Sequence, residues 1–119
     1  MPHVIIEEAL DLASACQSIE TATVRNGTEI LKVIDVYLNR STHTALVDCV
    51  VVEQGRSQSF LVQLAQKDRQ ITVRLLPATD PEKTDGVKRV MALIAKQLHG
   101  AAPGSRVGKT NLQDFLLPA

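Results

Sequence analysis

Two aspartates are the residues of this chain whose type and spacing best suit chemistry. Asp35 and Asp48 each lie in a segment where apolar residues alternate with others, and a polar turn separates the two segments. Such alternation is typical of β-strands, and an even turn centred on Ser41 and Thr42 would place the aspartates directly opposite each other. Opposed carboxylates repel, and burial would raise the pKa of at least one unless a cation compensates, so the pair could share a proton and act as acid and base.

The same alternation extends this pair into a polar row on one face of a predicted sheet. The turn positions predict that Asp48 faces Gln63 and that Gln63 faces Thr72. Arg74 would lie diagonally adjacent to the row. Carboxylates whose pKa is perturbed by burial and by neighbours mark candidate functional sites. The ligand or interface candidates on this face are Asp35, Tyr37, Asp48, Val50, Leu61, Gln63 and Arg74.

Three roles are open for this row. A connecting loop one residue longer or shorter would break the alignment, and the two aspartates would then be solvated or paired with Lys32, Arg25 or Arg74. We favour a structural or interface role over a ligand pocket, and a ligand pocket over acid/base catalysis, because no His or Cys is placed to complete a mechanism. We therefore assign no catalytic residue and expect a non-enzymatic protein.

Five short segments of alternating hydrophobicity predict the strands that carry the row. Polar turns separate them, and the Asn26-Gly27 dipeptide is typical of a tight hairpin. Connections this short leave no room for crossover helices, so the sheet is predicted to be an antiparallel meander. The predicted strands are Thr21–Arg25, Glu29–Asn39, Thr44–Glu53, Ser57–Gln66 and Gln70–Leu76.

Two amphipathic helices are predicted to flank these strands. Apolar residues recur at helical spacing over roughly residues 4 to 19, and again in a second stripe that Gly100 can terminate. We therefore predict an α+β fold in α-β-β-β-β-α order. It would consist of a four- or five-stranded antiparallel meander with the N-terminal and C-terminal helices packed on one face. The second stripe consists of Val87, Val90, Met91, Ile94 and Leu98.

The length of 119 residues suits one hydrophobic core and excludes a multi-domain enzyme. Residues 1–100 are predicted to form a single domain, and residues 101–119 a linker with a short apolar tail. We expect Leu112, Phe115 and Leu116 in this tail to dock on the same protomer or on a neighbour.

The two faces of the predicted sheet differ, but both are rich in apolar residues. The face covered by the helices is predicted to include Ile34, Val36, Leu38, Ala45, Val47, Cys49, Val51, Phe60, Val62, Leu64, Ile71, Val73 and Leu75. The face with the polar row is predicted to include Leu31, Val33, Tyr37, Leu46, Val50, Val52, Leu61 and Leu76. An exposed apolar surface of this size is typical of an interface or a ligand site.

Our first hypothesis is an interaction module that forms a homodimer by burying this second face. Asp35 and Asp48 of one copy would then meet Arg74 of the other, and the polar row would fix the orientation. The alternative is a curved sheet whose second face lines a pocket for a small apolar ligand. In that case Asp35, Asp48, Tyr37 and Gln63 would orient the ligand or react with it.

The charge balance argues against a general nucleic-acid binder. The chain has 13 basic and 13 acidic residues, and its aromatics are one Tyr and two Phe, too few for base-stacking platforms. The charges are unevenly distributed, since residues 1–55 hold three basic and eight acidic side chains and residues 56–119 hold ten and five. A weaker hypothesis, binding of an anionic partner such as RNA, would use the basic side of the second helix at Lys88, Arg89 and Lys96.

The remaining signals concern compartment and cofactors. The start of the chain lacks the basic lead of a secretion signal, and no apolar run approaches the roughly 20 residues of a membrane helix. Cys16 and Cys49 are expected to be reduced thiols in a cytoplasmic protein that does not interact with a membrane. The three histidines have no second ligand at metal spacing, so neither a metal nor another cofactor is expected.

Overall fold

The computed structural model describes residues 1–116 and contains seven β-strands and three helices. The strands are His3–Glu7 (β1), Ala22–Asn26 (β2), Glu29–Leu38 (β3), Thr44–Glu53 (β4), Arg56–Lys67 (β5), Gln70–Leu75 (β6) and Arg106–Thr110 (β7). The helices are Leu12–Cys16 (α1), Asp85–Ala101 (α2) and Gln113–Leu116 (α3). All strands pair antiparallel in the order β2-β3-β4-β5-β6-β1-β7, and the sheet curls into a half-barrel.

The predicted fold class is wrong, because the sheet has seven strands rather than four or five. The predicted N-terminal helix over residues 4 to 19 does not form. Its first residues form β1 instead, where Val4 and Ile6 point into the core and are fully buried. β1 pairs with β6 on one side and β7 on the other. A helix here would leave the backbone N–H and C=O groups along β6 without these partners.

Only a short helix remains of that N-terminal prediction. α1 begins after Asp11, whose carboxylate accepts a hydrogen bond from the backbone N–H of Ser14 at 3.0 Å. This bond lowers the pKa of the Asp11 carboxyl group. Leu12 and Ala15 are the buried residues of α1 and pack against the core. The apolar residues of this segment are therefore divided between two elements, a strand and a helix of little more than one turn.

The five predicted central strands are confirmed as β2 to β6, with closely matching ends. The segment 101–119, described above as linker and tail, contains β7 and α3 in its described part. β7 extends the sheet by pairing with β1, and Leu112 after it is almost fully buried. Phe115 and Leu116 pack against the core of the same chain. The prediction that the tail docks is therefore confirmed for these three residues, and Leu117 lies outside the described residues.

Helix α2 fills the concave side of the half-barrel. It contacts β1, β3, β4 and β6, and the predicted apolar stripe is its buried face. Thr84 caps the helix by accepting a hydrogen bond from the N–H of Val87 at 3.3 Å. The Glu53 carboxylate of β4 accepts bonds from the Thr84 hydroxyl at 2.5 Å and from the N–H of Gly86 at 3.0 Å. The start of α2 is therefore joined directly to the sheet.

The two cysteines differ in burial and are expected to differ in reactivity. Cys49 is fully buried in β4, and burial together with the neighbouring Asp48 carboxylate raises the pKa of its thiol to about 12. Cys16 is half-buried, and burial raises its pKa as well. Since the thiolate is the reactive form, iodoacetamide at pH 8 should label Cys16 slowly and leave Cys49 unlabelled in the native protein. Peptide mass spectrometry checks this, with urea-unfolded protein as the doubly labelled control, and equal native labelling of both thiols would contradict it.

Candidate functional site

The sheet face turned away from α2, here called the outer face, carries the predicted polar row. Along β4 the residues alternate, with one set buried under α2 and the other half-exposed on the outer face. Ile34 and Tyr37 in β3 are 45% and 55% exposed. On β3 to β6 the outer face includes Lys32, Ile34, Asp35, Tyr37, Leu46, Asp48, Val50, Val52, Leu61, Gln63, Thr72 and Arg74. The described chain therefore leaves Ile34 and Tyr37 of β3 open to solvent and the outer-face residues of β4 half-exposed.

A β-bulge decides which residues of β3 belong to this face. Val33 pairs with Cys49 and Asp35 pairs with Asp48, so Ile34 is an extra residue without a partner. The bulge reverses the alternation. Leu31 and Val33 are therefore buried against the core, contrary to the prediction that they lie on the second face, and Ile34 is exposed rather than covered. Regular alternation contains no signal for a bulge at this point.

The predicted opposition of Asp35 and Asp48 is confirmed by the pairing of β3 with β4. Asp35 is exposed, and its Oδ1 atom accepts a hydrogen bond from the backbone N–H of Val36 at 2.8 Å. Asp48 is half-buried, and within residues 1–116 its carboxylate has neither a hydrogen bond nor an ion pair. Two carboxylates thus lie side by side on a largely apolar surface with no cation bound to either.

The rest of the predicted row is shifted by two residues. Asp48 faces Leu61 rather than Gln63, because the β4–β5 turn is centred on Gln54 and Gly55, which both have positive φ angles. Gln63 faces Arg74 rather than Thr72 for the same kind of reason, since the next turn is centred one residue later than predicted. A shift of two residues keeps every side chain on its face. The predicted outer-face residues of β4, β5 and β6 therefore stay on one surface with altered neighbours.

The charges of the outer face have no ionic partners within the described chain. Arg74 donates a hydrogen bond from Nε to the Gln63 side-chain oxygen at 2.8 Å, a neutral acceptor. The five ion pairs among residues 1–116 involve none of Lys32, Asp35, Asp48 and Arg74. The carboxylates of Asp35 and Asp48 are thus separated from the Arg74 guanidinium on β6 by strand β5, where Asp48 faces Leu61.

The basic residues predicted on the second helix are arranged around an aromatic ring. The Lys88 ammonium and the Arg89 guanidinium lie 5.9 and 6.0 Å from the centroid of Phe115. Arg89 also forms an ion pair with Glu29 at the start of β3. Lys96 is exposed two turns further along the same helix. Sequence reasoning missed the part that Phe115 plays here, because the tail was not assigned to this surface of the helix.

Five cavities of the described chain lie elsewhere. None of the five cavities identified is lined by Asp35, Asp48, Gln63 or the other candidates of the outer face. Within residues 1–116, no group of three or more His, Cys, Asp or Glu side chains is placed to hold a metal ion. No helix in that range is both long enough and apolar enough to cross a membrane.

Comparison with known proteins yields no relative. Neither a protein-family model, nor a curated sequence, nor a solved structure matches the chain.

Proposed function

We propose that this protein is a non-enzymatic interaction module that self-associates by packing the outer faces of two copies together. One observation carries the proposal: the outer face combines exposed apolar side chains with charges of both signs that have no ionic partner within the described chain. Exposed apolar surface of this kind is typical of interfaces. Unpaired charges within such a surface can specify the partner and its orientation.

The positions of the charges suit two-fold symmetry. β4, with Asp48, and β6, with Arg74, are the two neighbours of β5. Adjacent strands are about 4.8 Å apart, so β4 and β6 are separated by about 10 Å. A two-fold axis along β5 would place β4 of each copy over β6 of the other, because the rotation exchanges the two sides of β5. Asp48 of each copy would then approach Arg74 of the second copy, and Leu61 would pack near the axis.

The remaining features of this face also favour a protein surface over a small ligand as its occupant. The sheet curls away from this side, since α2 occupies the concavity. None of the five cavities identified is lined by the outer-face candidates, whereas small-molecule sites are typically concave. Val50, Leu46 and Leu61 surround Asp48 and would supply the apolar contacts of the interface.

Multi-angle light scattering tests the proposal directly. The chain mass is 12.9 kDa, and the expected solution mass is twice that value. Val50→Asp places a charge in the centre of the interface and is expected to yield a folded monomer. Val24→Asp is the control, because Val24 is exposed but lies on the edge strand β2, away from the outer face, and its dimer should persist. A wild-type monomer at millimolar concentration, or a dimer that survives Val50→Asp, would overturn the proposal.

Exchange of the charges of Asp48 and Arg74 tests the orientation of the two copies in the proposed dimer. Arg74→Glu should weaken the dimer by bringing like charges together in the interface. Adding Asp48→Arg to this variant restores opposite charges across the axis and should recover the dimer, because each copy then carries both changes. Analytical ultracentrifugation measures the dimer dissociation constants of the single and the double variant. Failure of the double variant to recover would exclude the alignment of β4 over β6.

A further inference from the structure

A small cavity lies where the first residues of the chain, the beginning of α2 and the link between β7 and α3 meet. Its volume is about 280 Å³. It is separate from the outer face, because none of the residues of that face lines it. The lining residues are Met1, Pro2, Lys83, Lys88, Asn111 and Leu112.

Hydrogen bonds hold the walls of this cavity together. The Asn111 amide donates a bond to the Met1 carbonyl at 2.8 Å, and its oxygen accepts one from the His3 N–H at 2.9 Å. The Thr110 hydroxyl donates to the His3 carbonyl at 2.7 Å. Leu112 is 1% exposed and anchors the other wall in the core. The cavity is therefore built by residues more than 100 positions apart in the sequence, and its shape depends on the completed fold.

Among the described residues, the charged side chains that line the cavity, Lys83 and Lys88, are both cationic. Lys88 is half-buried, and within residues 1–116 its ammonium has neither an ion pair nor a hydrogen bond and lies 5.9 Å from the centroid of the Phe115 ring. A ring face attracts an ammonium but leaves its charge without a counter-ion. Lys83 is paired with Asp80 at 2.5 Å, and Asp80 is not among the lining residues. A partly desolvated ammonium without an acidic partner favours an anion beside it.

The other groups that line the cavity indicate which class of anion it suits. Phosphate groups are typically held by clusters of backbone N–H groups or by arginines. No arginine lines this cavity, and the nearby N–H groups of Gly86 and Val87 at the start of α2 already donate to Glu53 and Thr84. Pro2 and Leu112 offer apolar surface instead. The volume lies just below the range of about 300–1,000 Å³ that is common for ligand sites, which suits a molecule of few atoms.

We propose that this cavity binds a small organic carboxylate, with its anionic head at the ammonium groups of Lys88 and Lys83 and a short aliphatic body against Pro2 and Leu112. The site does not rest on self-association, since it lies off the outer face. The Lys88 ammonium supplies a charge-assisted hydrogen bond, and Lys83 adds a second donor by turning from Asp80 toward the ligand.

Titration of the full-length protein with hexanoate, followed by the amide resonances in two-dimensional NMR, tests this site. We expect saturable shifts confined to residues around Lys88 and Leu112. Loss of one charge-assisted bond is worth about 1.5–3 kcal/mol, so Lys88→Gln should weaken binding by about tenfold or more. Lys83→Gln should also weaken hexanoate binding. Lys67→Gln removes the same charge at the β5–β6 turn, away from the cavity, and should change the affinity less than twofold.

Two further probes separate the head of the ligand from its body. Hexanol lacks the charge and inorganic phosphate lacks the aliphatic chain, so both are expected to bind at least tenfold more weakly than hexanoate. Absence of saturable shifts with hexanoate up to 20 mM would overturn the proposal. So would phosphate binding as tight as hexanoate binding, or an unchanged hexanoate affinity in both lysine variants whose spectra show the native fold.

Discussion

Gly86→Ala is expected to lower the free energy of unfolding by about 2 kcal/mol, although alanine is intrinsically about 1 kcal/mol better than glycine inside a helix. A β-carbon at this position would lie 2.6 Å from both the Glu53 Cδ and the Val51 Cγ1 atoms of β4. Relief of these contacts requires movement of the Glu53 carboxylate, which holds the Thr84 hydroxyl and the Gly86 N–H. The substitution thus combines overpacking with the loss of hydrogen bonds at the start of α2.

Gly100 in the same helix provides the matched control. No heavy atom outside its immediate neighbours lies within 4 Å of a β-carbon built there, and the residue is exposed. Gly100→Ala should therefore raise stability by up to about 1 kcal/mol through helix propensity alone. Urea unfolding followed by circular dichroism measures both variants. A change in the free energy of unfolding that has the same sign in both variants would contradict the role assigned to the close approach between Gly86 and β4.

Leu112→Ala is expected to destabilise the protein by about 2–5 kcal/mol, the usual cost of removing a large buried aliphatic side chain and leaving a cavity. Leu112 is 1% exposed and follows β7, in the segment that was predicted from the sequence to be a linker and tail. Leu10→Ala is the control, because Leu10 is 38% exposed and should contribute less than about 1 kcal/mol. Chemical unfolding of both variants gives the comparison.

Removal of residues 104–119 is expected to lower the free energy of unfolding by more than Leu112→Ala does. The truncation deletes β7, leaves one edge of β1 unpaired and uncovers the side of α2 that α3 contacts. Loss of the cooperative unfolding transition, or a strongly reduced midpoint, is the anticipated result. A truncated chain with wild-type stability would show that the described contacts of Leu112 and Phe115 are energetically unimportant.

Most of the sheet could be predicted because its signals are local. Alternating hydrophobicity placed β2 to β6, and short polar turns made them antiparallel neighbours. The stripe from Val87 to Leu98 identified α2 because one face of a helix repeats every 3.6 residues. Within the candidate site, the same alternation placed Asp48, Val50, Leu61 and Arg74 on one surface correctly.

Three elements could not be predicted, each because its conformation depends on distant residues. Val4 and Ile6 suit a helical period as well as a strand, and β6 and β7 decide the outcome by pairing with them. The bulge at Ile34 adds one residue to β3 without changing the composition of the strand. β7 has a weak strand pattern of its own, with a glycine at its centre, and forms beside β1.

The sequence by itself determined the antiparallel central strands, the amphipathic helix α2 and the opposition of Asp35 and Asp48, since period, turn length and alternation are properties of short segments. Only the tertiary structure decided that the sheet has seven strands curled around α2, that Ile34 and Tyr37 face solvent beside unpaired charges, and that Lys83 and Lys88 line one cavity with Pro2 and Leu112. These features bring together residues far apart in the chain. Their contacts depend on which edges pair and which faces are covered, and neither is encoded within any one segment.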